Sequence, residues 1–199
     1  MRMPLLSLLV LLGASCAPTM QNMPASPAFV VEQIAARNVE SLPDGALYWR
    51  IESLPNLAAA EAAAGPLSLA ADASGRSWLF TLGRQGERTT GATFVAELGP
   101  IPHFEATRYT LRINRAQAPV GHATSVHTHP GSEAFYVLRG QLTQRTMHGV
   151  SRADAGQTMN GHGPGMVMQL VSTGPEDLDQ LVLFVVDADQ PFSSPASFQ

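Results

Sequence analysis

Hydrophobic and polar positions change period along this chain. Phe29, Val30 and Ile34 fall on one face of a 3.6-residue period, behind Ser26-Pro27, a helix-capping residue with proline at the first helical position. They predict a short helix to about Val39, broken by Leu42-Pro43-Asp44-Gly45. From Ala46 the period falls towards two. Ala46–Ile51 reads as a strand, and Asn56–Ala64 as an alanine-rich helix ended by Gly65-Pro66. Leu67–Ala71 and Ser77–Leu82 flank the turn Asp72-Ala73-Ser74-Gly75 as a hairpin. Ala92–Leu98 is a further strand. Arg108–Asn114 alternates cleanly, with Tyr109, Leu111 and Ile113 on one side and Arg108, Thr110 and Arg112 on the other. Ala134–Leu138, Gln141–Met147, Met166–Val171 and Leu181–Val186 complete the set. Short strands at this spacing predict an all-β sandwich or closed barrel, a jelly roll among them.

Composition narrows the chemistry. Net charge is −4 with no basic cluster, so a nucleic-acid partner is not expected, because phosphates need clustered cations. All 12 cationic residues are arginine, which excludes a Schiff-base lysine, a phosphate-loop lysine and a Ser-Lys dyad. The one cysteine, Cys16, leaves no partner for a disulfide within the chain. Arg2, the apolar run Leu5–Leu12 and Gly13-Ala14-Ser15-Cys16 follow the order of a secretory signal, too short to span a bilayer as a helix. A cysteine after small residues resembles a bacterial lipoprotein cleavage site, although Gly13 stands where that pattern places leucine. The organisation predicted is a signal over 1–16, a tether and short helix over 17–45, a β-barrel over 46–191 and a tail over 192–199. The protein is expected to be exported, either periplasmic or membrane-anchored through a lipid on Cys16.

The segment from Gly121 to Gly140 carries the chemistry. His127 and His129 are two apart, so a strand projects both imidazoles from one face. Pro130-Gly131-Ser132 reads as a turn that brings Glu133 back beside them. Two imidazoles and a carboxylate leave open positions on a divalent ion such as Fe, Mn, Ni or Zn. Gly121, His127, His129, Glu133 and Gly140 match the first cupin motif, G-x5-H-x-H-x3-E-x6-G, at every fixed position, and the chain resembles the cupin superfamily over about Tyr109–Val186. The resemblance implies a double-stranded β-helix barrel with one metal ion in its mouth. The second cupin motif is degenerate. Aligning its loop on Gly163-Pro164-Gly165 places Met168, or Val167 without an inserted residue, where the family carries its last histidine. Either three residues hold the metal alone or the neighbouring His162 substitutes.

Arg112 is a candidate for binding a substrate carboxylate if it faces inward, and Tyr136, Met166, Met168 and Gln169 are further pocket-lining candidates. His148 reads as an exposed turn residue, His103 and His122 as loop surface, and Trp49 and Trp78 as core. The function implied is a metal-dependent enzyme on a small extracytoplasmic substrate, dioxygenase-like, with Glu133 as ligand and proton acceptor. A non-catalytic module binding a small molecule or sugar is the alternative, and an envelope protein with a structural metal is a third. A homodimer through edge strands is expected.

Overall fold

The computed structural model describes residues 29–198. Its chain order is β1 (Val30–Val39), β2 (Tyr48–Leu54), α1 (Leu57–Ala63), β3 (Ser68–Ala73), β4 (Arg76–Gly83), β5 (Thr93–Leu98), β6 (Tyr109–Ala118), β7 (His127–Thr128), β8 (Gly131–Arg139), β9 (Gln141–Thr146), β10 (Gly149–Asp154), β11 (Thr158–Asn160), β12 (Met168–Ser172), β13 (Leu178–Asp187) and β14 (Ser194–Pro195). Three sheets result: β1-β6-β13-β8-β11, β10-β9-β12-β7-β14 and β3-β4-β2-β5. Every pairing within them is antiparallel.

The run from β6 to β13 alternates between the first two sheets except at the β9–β10 hairpin, which stays within the second. β6, β13, β8 and β11 are neighbours in one; β10, β9, β12 and β7 in the other. This is the two-sheet connectivity of a jelly roll, or double-stranded β-helix. The barrel expected from the sequence is not closed by strand pairing, since the two sheets remain separate hydrogen-bonded ladders. The third sheet packs on the outer face of the first.

β13 shows the layering. Leu181, Leu183 and Val185 join Trp49, Ile51, Trp78 and Phe80 of the third sheet in one core cluster. Val182, Phe184 and Val186 point the other way, into the jelly roll, with Phe135, Val137, Leu142 and Leu170. A strand covered on both faces reads as a continuous apolar run, and β13 is buried from Leu178 to Val186. Asp179 ties the layers together: it accepts from Ser74 Oγ at 2.9 Å and from Arg115 Nε and Nη2 at 2.9 and 2.7 Å.

Several predicted elements sit where the pattern put them. Asn56 caps α1 by accepting from the Ala59 amide at 2.9 Å, and the Asp72–Gly75 hairpin pairs β3 with β4. The short N-terminal helix is overturned. Residues 30–39 form β1, an edge strand paired with β6 from Val30↔Gln117 to Val39↔Tyr109, with a bulge between Gln33 and Ala35. The free edge of β6 supplies a ladder that a lone helix would leave unused, and β-branched Val30, Val31, Ile34 and Val39 suit a strand. The tail over 192–199 is corrected too, because Ser194 and Pro195 pair with Thr128 and His127. The folded unit thus begins before Ala46 and runs past Pro191. Cys16 and the signal lie outside the described residues.

Candidate functional site

His127 closes onto β12 and β14 through backbone ladders to Met168 and Pro195. Both imidazoles project from the face that looks into the jelly roll, as the spacing predicts. Glu133 arrives on β8, opposite Phe184 of β13. The return is sharp because Gly131 lies against the Val185 carbonyl, where no side chain fits. Farther along, Gly140 takes φ +75° between β8 and β9 with the Asp177 and Glu176 carbonyls beside its α-carbon. The motif glycine is thereby explained by backbone geometry and close approach.

His127, His129 and Glu133 line one cavity of about 210 Å³. Phe29, Val31, Leu170, Val182, Phe184 and Phe192 supply most of its apolar wall, with Asn114, Thr124 and Ser125 as polar neighbours. His127 Nδ1 donates to the Ser125 carbonyl at 2.8 Å, and His129 Nδ1 to the Phe192 carbonyl at 2.7 Å. A carbonyl only accepts, so both protons sit on Nδ1 and both Nε2 lone pairs are left free in the neutral rings. This is how ligating histidines are commonly oriented.

The buried carboxyl is the costly group. Glu133 is 3% exposed. Its Oε1 accepts from Gln144 Nε2 at 3.1 Å, while Oε2 has no hydrogen-bond partner. Burial pushes Glu133 up to about 8, with the Gln144 bond pulling the other way. Burial pushes His129 down to about 4; the Phe192 carbonyl opposes this, and the charges of His127 and Arg112 add to it. His129 Nε2 stands 3.8 Å from Glu133 Oε2. That is too long for a hydrogen bond, and within the sum of two metal–ligand bonds of about 2.0–2.2 Å each. The donors therefore fit a divalent ion in kind. Their arrangement is looser: the His127 and His129 rings meet edge to face at 4.9 Å, and among the described residues no three His, Cys, Asp or Glu side chains are grouped to hold a metal as they stand.

The other predicted residues divide. Met168 is 1% exposed, directly across the ladder from His127, and its sulfur accepts from Gln144 Nε2 at 3.6 Å. Arg112 faces the interior but stands behind the lining: Nε donates to Asn114 Oδ1 at 2.7 Å and the guanidinium covers the Phe192 ring at 3.8 Å. Tyr136 is on the wrong face. With Glu133, Phe135 and Val137 turned inward, period two turns Tyr136 outward, edge-on to Trp78. Gln169 is likewise out of phase with Met168 and Leu170, and its amide donates to the Thr124 carbonyl at 3.1 Å. None of Met166, Met168 and His162 lines the cavity, although Met166 and Met168 were expected to. His162 is absent from the wall that carries His127, His129 and Glu133, so the structure does not bring it to the place of the family's last histidine; burial holds it below its ordinary value, with the His148 charge adding to this. Asn114, Gln144, Phe184 and Phe192 were missed. The first two share the inward phase of Arg112 and Leu142, a readable signal; Phe192 comes from the tail and gave none.

A second hollow of about 240 Å³ lies among Glu40, Asp44, Ile101, Phe104, Glu105 and Tyr109 and contains none of the predicted metal ligands.

No family model matches the chain, and no curated protein matches it. Among solved structures it is similar to a cupin-like protein from Thermotoga maritima, at 16% identity and TM-score 0.39, covering 44% of this chain and 65% of that one. It is similar to a protein with a double-stranded β-helix domain from Klebsiella pneumoniae, at 22% identity and TM-score 0.38, over 44% and 76% of the two chains. A dimethylsulfoniopropionate (DMSP) lyase from Ruegeria pomeroyi aligns at 21% identity and TM-score 0.38, over 43% of each. Each likeness spans less than half of this chain; the jelly-roll assignment stands on the order of its own strands.

Proposed function

We propose that this protein is an exported cupin in which His127, His129 and Glu133 hold one divalent metal ion, and that it acts as a metal-dependent enzyme, dioxygenase-like, on a small extracytoplasmic molecule. The observation that carries the reading is the unpartnered Oε2 of Glu133, buried 3.8 Å from His129 Nε2. An orphaned buried carboxyl oxygen is expensive unless something satisfies it, and a divalent ion held by His127, His129 and Glu133 would do so. Met168, paired with His127 across the ladder, keeps its thioether on Gln144 and off the cavity wall, and a soft thioether is in any case a poor ligand for hard ions.

A bound ion would supply Lewis acidity and open positions for a substrate oxygen. The rest of the chemistry belongs to the chain. The apolar wall excludes water and selects a small ligand, since about 210 Å³ falls below the roughly 300 Å³ at which larger-ligand pockets begin. The Ser125 and Phe192 carbonyls hold both imidazoles in one tautomer. Gln144 holds Glu133 through Oε1 and leaves Oε2 without a partner in the protein, so that Oε2 would accept a proton only when not serving as a ligand.

A non-catalytic binding module is the second reading, favoured by the spread of the three ligands. The deciding experiment is metal content by ICP-MS on untagged protein and on His127→Ala/His129→Ala. Near one equivalent of iron, manganese, nickel or zinc that disappears in the double variant supports the metalloprotein. No metal in either protein after reconstitution leaves a metal-free binding module. Export and lipid anchoring belong to the same proposal: Cys16→Ser should shift the protein from the membrane to the soluble fraction. Light scattering should report a homodimer formed through edge strands.

A further inference from the structure

Arg112 and Asn114 are two apart on β6 and share its inward face. A guanidinium can only donate, so the Asn114 atom that meets Arg112 Nε at 2.7 Å is the oxygen. This fixes the amide the other way round for the cavity: with Oδ1 taken up by Arg112, the Nδ2 donor is the end left for a ligand. Asn114 is 2% exposed and lines the cavity. Within the described residues its Nδ2 has no acceptor.

Arg112 also lacks a counter-ion. No Asp or Glu among the described residues lies within ion-pair distance of it, whereas Arg50, Arg108 and Arg115 each have one. Its Nε is committed to Asn114, and the Phe192 ring covers one guanidinium face. Among the described residues the only acidic one on the cavity wall is Glu133, the proposed metal ligand. The cavity therefore offers a neutral donor backed by an unbalanced positive charge, in walls that are otherwise mainly apolar. A neutral ligand leaves that charge uncompensated and a cation opposes it, while an anionic oxygen satisfies both donor and charge.

We infer that the ligand of this cavity is a small apolar carboxylate whose oxygen is held by the Asn114 amide, with Arg112 as the positioning residue that orients it. The inference rests on the proposed reading of this cavity as the functional site, but not on a metal being bound there.

The test is calorimetric titration of the full chain with benzoate and hexanoate against benzamide and hexanamide, isosteres that differ in charge. At least one acid should bind at one equivalent and about 10-fold or more tighter than its amide. Arg112→Gln should bring that ratio to about one with the fluorescence of the buried Trp49 and Trp78 unchanged, which a general loss of structure would not do. Asn114→Asp, which pairs with Arg112 inside the protein, should abolish acid binding with the Trp49 and Trp78 fluorescence unchanged, and keeps the test open if Arg112→Gln does not fold. Equal affinity for acid and amide, an unchanged ratio in Arg112→Gln, or no binding of either acid overturns the inference. Metal content of the same samples separates the two claims. Acid preference without metal sinks the metalloprotein alone; metal without acid preference sinks the anchor alone.

Discussion

Replacing Glu133 by glutamine in metal-free protein isolates the cost of the buried carboxyl. Glutamine keeps the volume and an oxygen for Gln144, and its amide can donate towards the free His129 Nε2. In the wild type, Glu133 is raised from 4.5 to about 8 by burial. A carboxyl raised on folding contributes stability that is complete below its unfolded value of about 4.5 and is lost as pH rises through about 8. His129 has the opposite sense. Lowered from 6.5 to about 4, it contributes stability present above 6.5 and lost as pH falls towards 4. Between 4.5 and 6.5 the two slopes oppose each other and largely cancel. Above 6.5 only Glu133 is left. Each pH unit there removes about 1.4 kcal/mol, so the wild type should lose on the order of 2 kcal/mol between pH 6.5 and 8 relative to Glu133→Gln. Urea denaturation with excess chelator reads this directly, with Trp49 and Trp78, both 0% exposed, as the fluorophores. A wild-type-minus-variant difference that stays constant over that range would refute the reasoning: Glu133 would then not be protonated by burial, and its unpartnered oxygen would carry no penalty for a cation to relieve.

Three further outcomes follow from the packing. Glu52 is 0% exposed; burial raises its carboxyl, but the hydrogen bonds from Thr89 and Arg50 outweigh this and hold it below its ordinary value. Glu52→Leu leaves Arg50 buried and should cost about 3–5 kcal/mol in urea denaturation; a loss under 1 kcal/mol would make the pair incidental. Gly161 sits against the Glu133 carbonyl and Cγ, so Gly161→Ala should cost about 1–3 kcal/mol and reduce metal content. Retention of full metal content would show that β8 can yield without moving Glu133. Phe192→Ala removes the ring that packs on His129 and Phe184 at 4.8 and 4.9 Å and under Arg112. The ring is partly exposed, so about 1–2 kcal/mol is expected from chemical denaturation, and an unchanged midpoint would remove the C-terminal segment from the site.

Period two and a five-position motif were enough to place β6, β8, β9, β12 and β13 and to bring His127, His129 and Glu133 to one cavity, while β1, β10 and β11 were not read as strands. His127 and His129 share a face because strand geometry requires it, and Glu133 returns beside them because the intervening turn is short. The same rule, applied one residue further, excludes Tyr136, since a strand that turns Glu133 inward turns residue 136 outward. What the sequence left open depended on contacts between distant segments. Local capping signals favoured a helix before Val39, yet the open edge of β6 made those residues a strand. Nothing near Phe192 announces that its carbonyl will fix the tautomer of His129, 63 residues away. Nor does the spacing of Arg112 and Asn114 say that the third sheet covers the outer face of β6 while their own face looks into the jelly roll. Backbone periodicity is a local property and can be read along the chain. Which edge is paired, which carbonyl meets which ring and which charge lacks a partner are set by the packing of layers, and only the tertiary structure decides them.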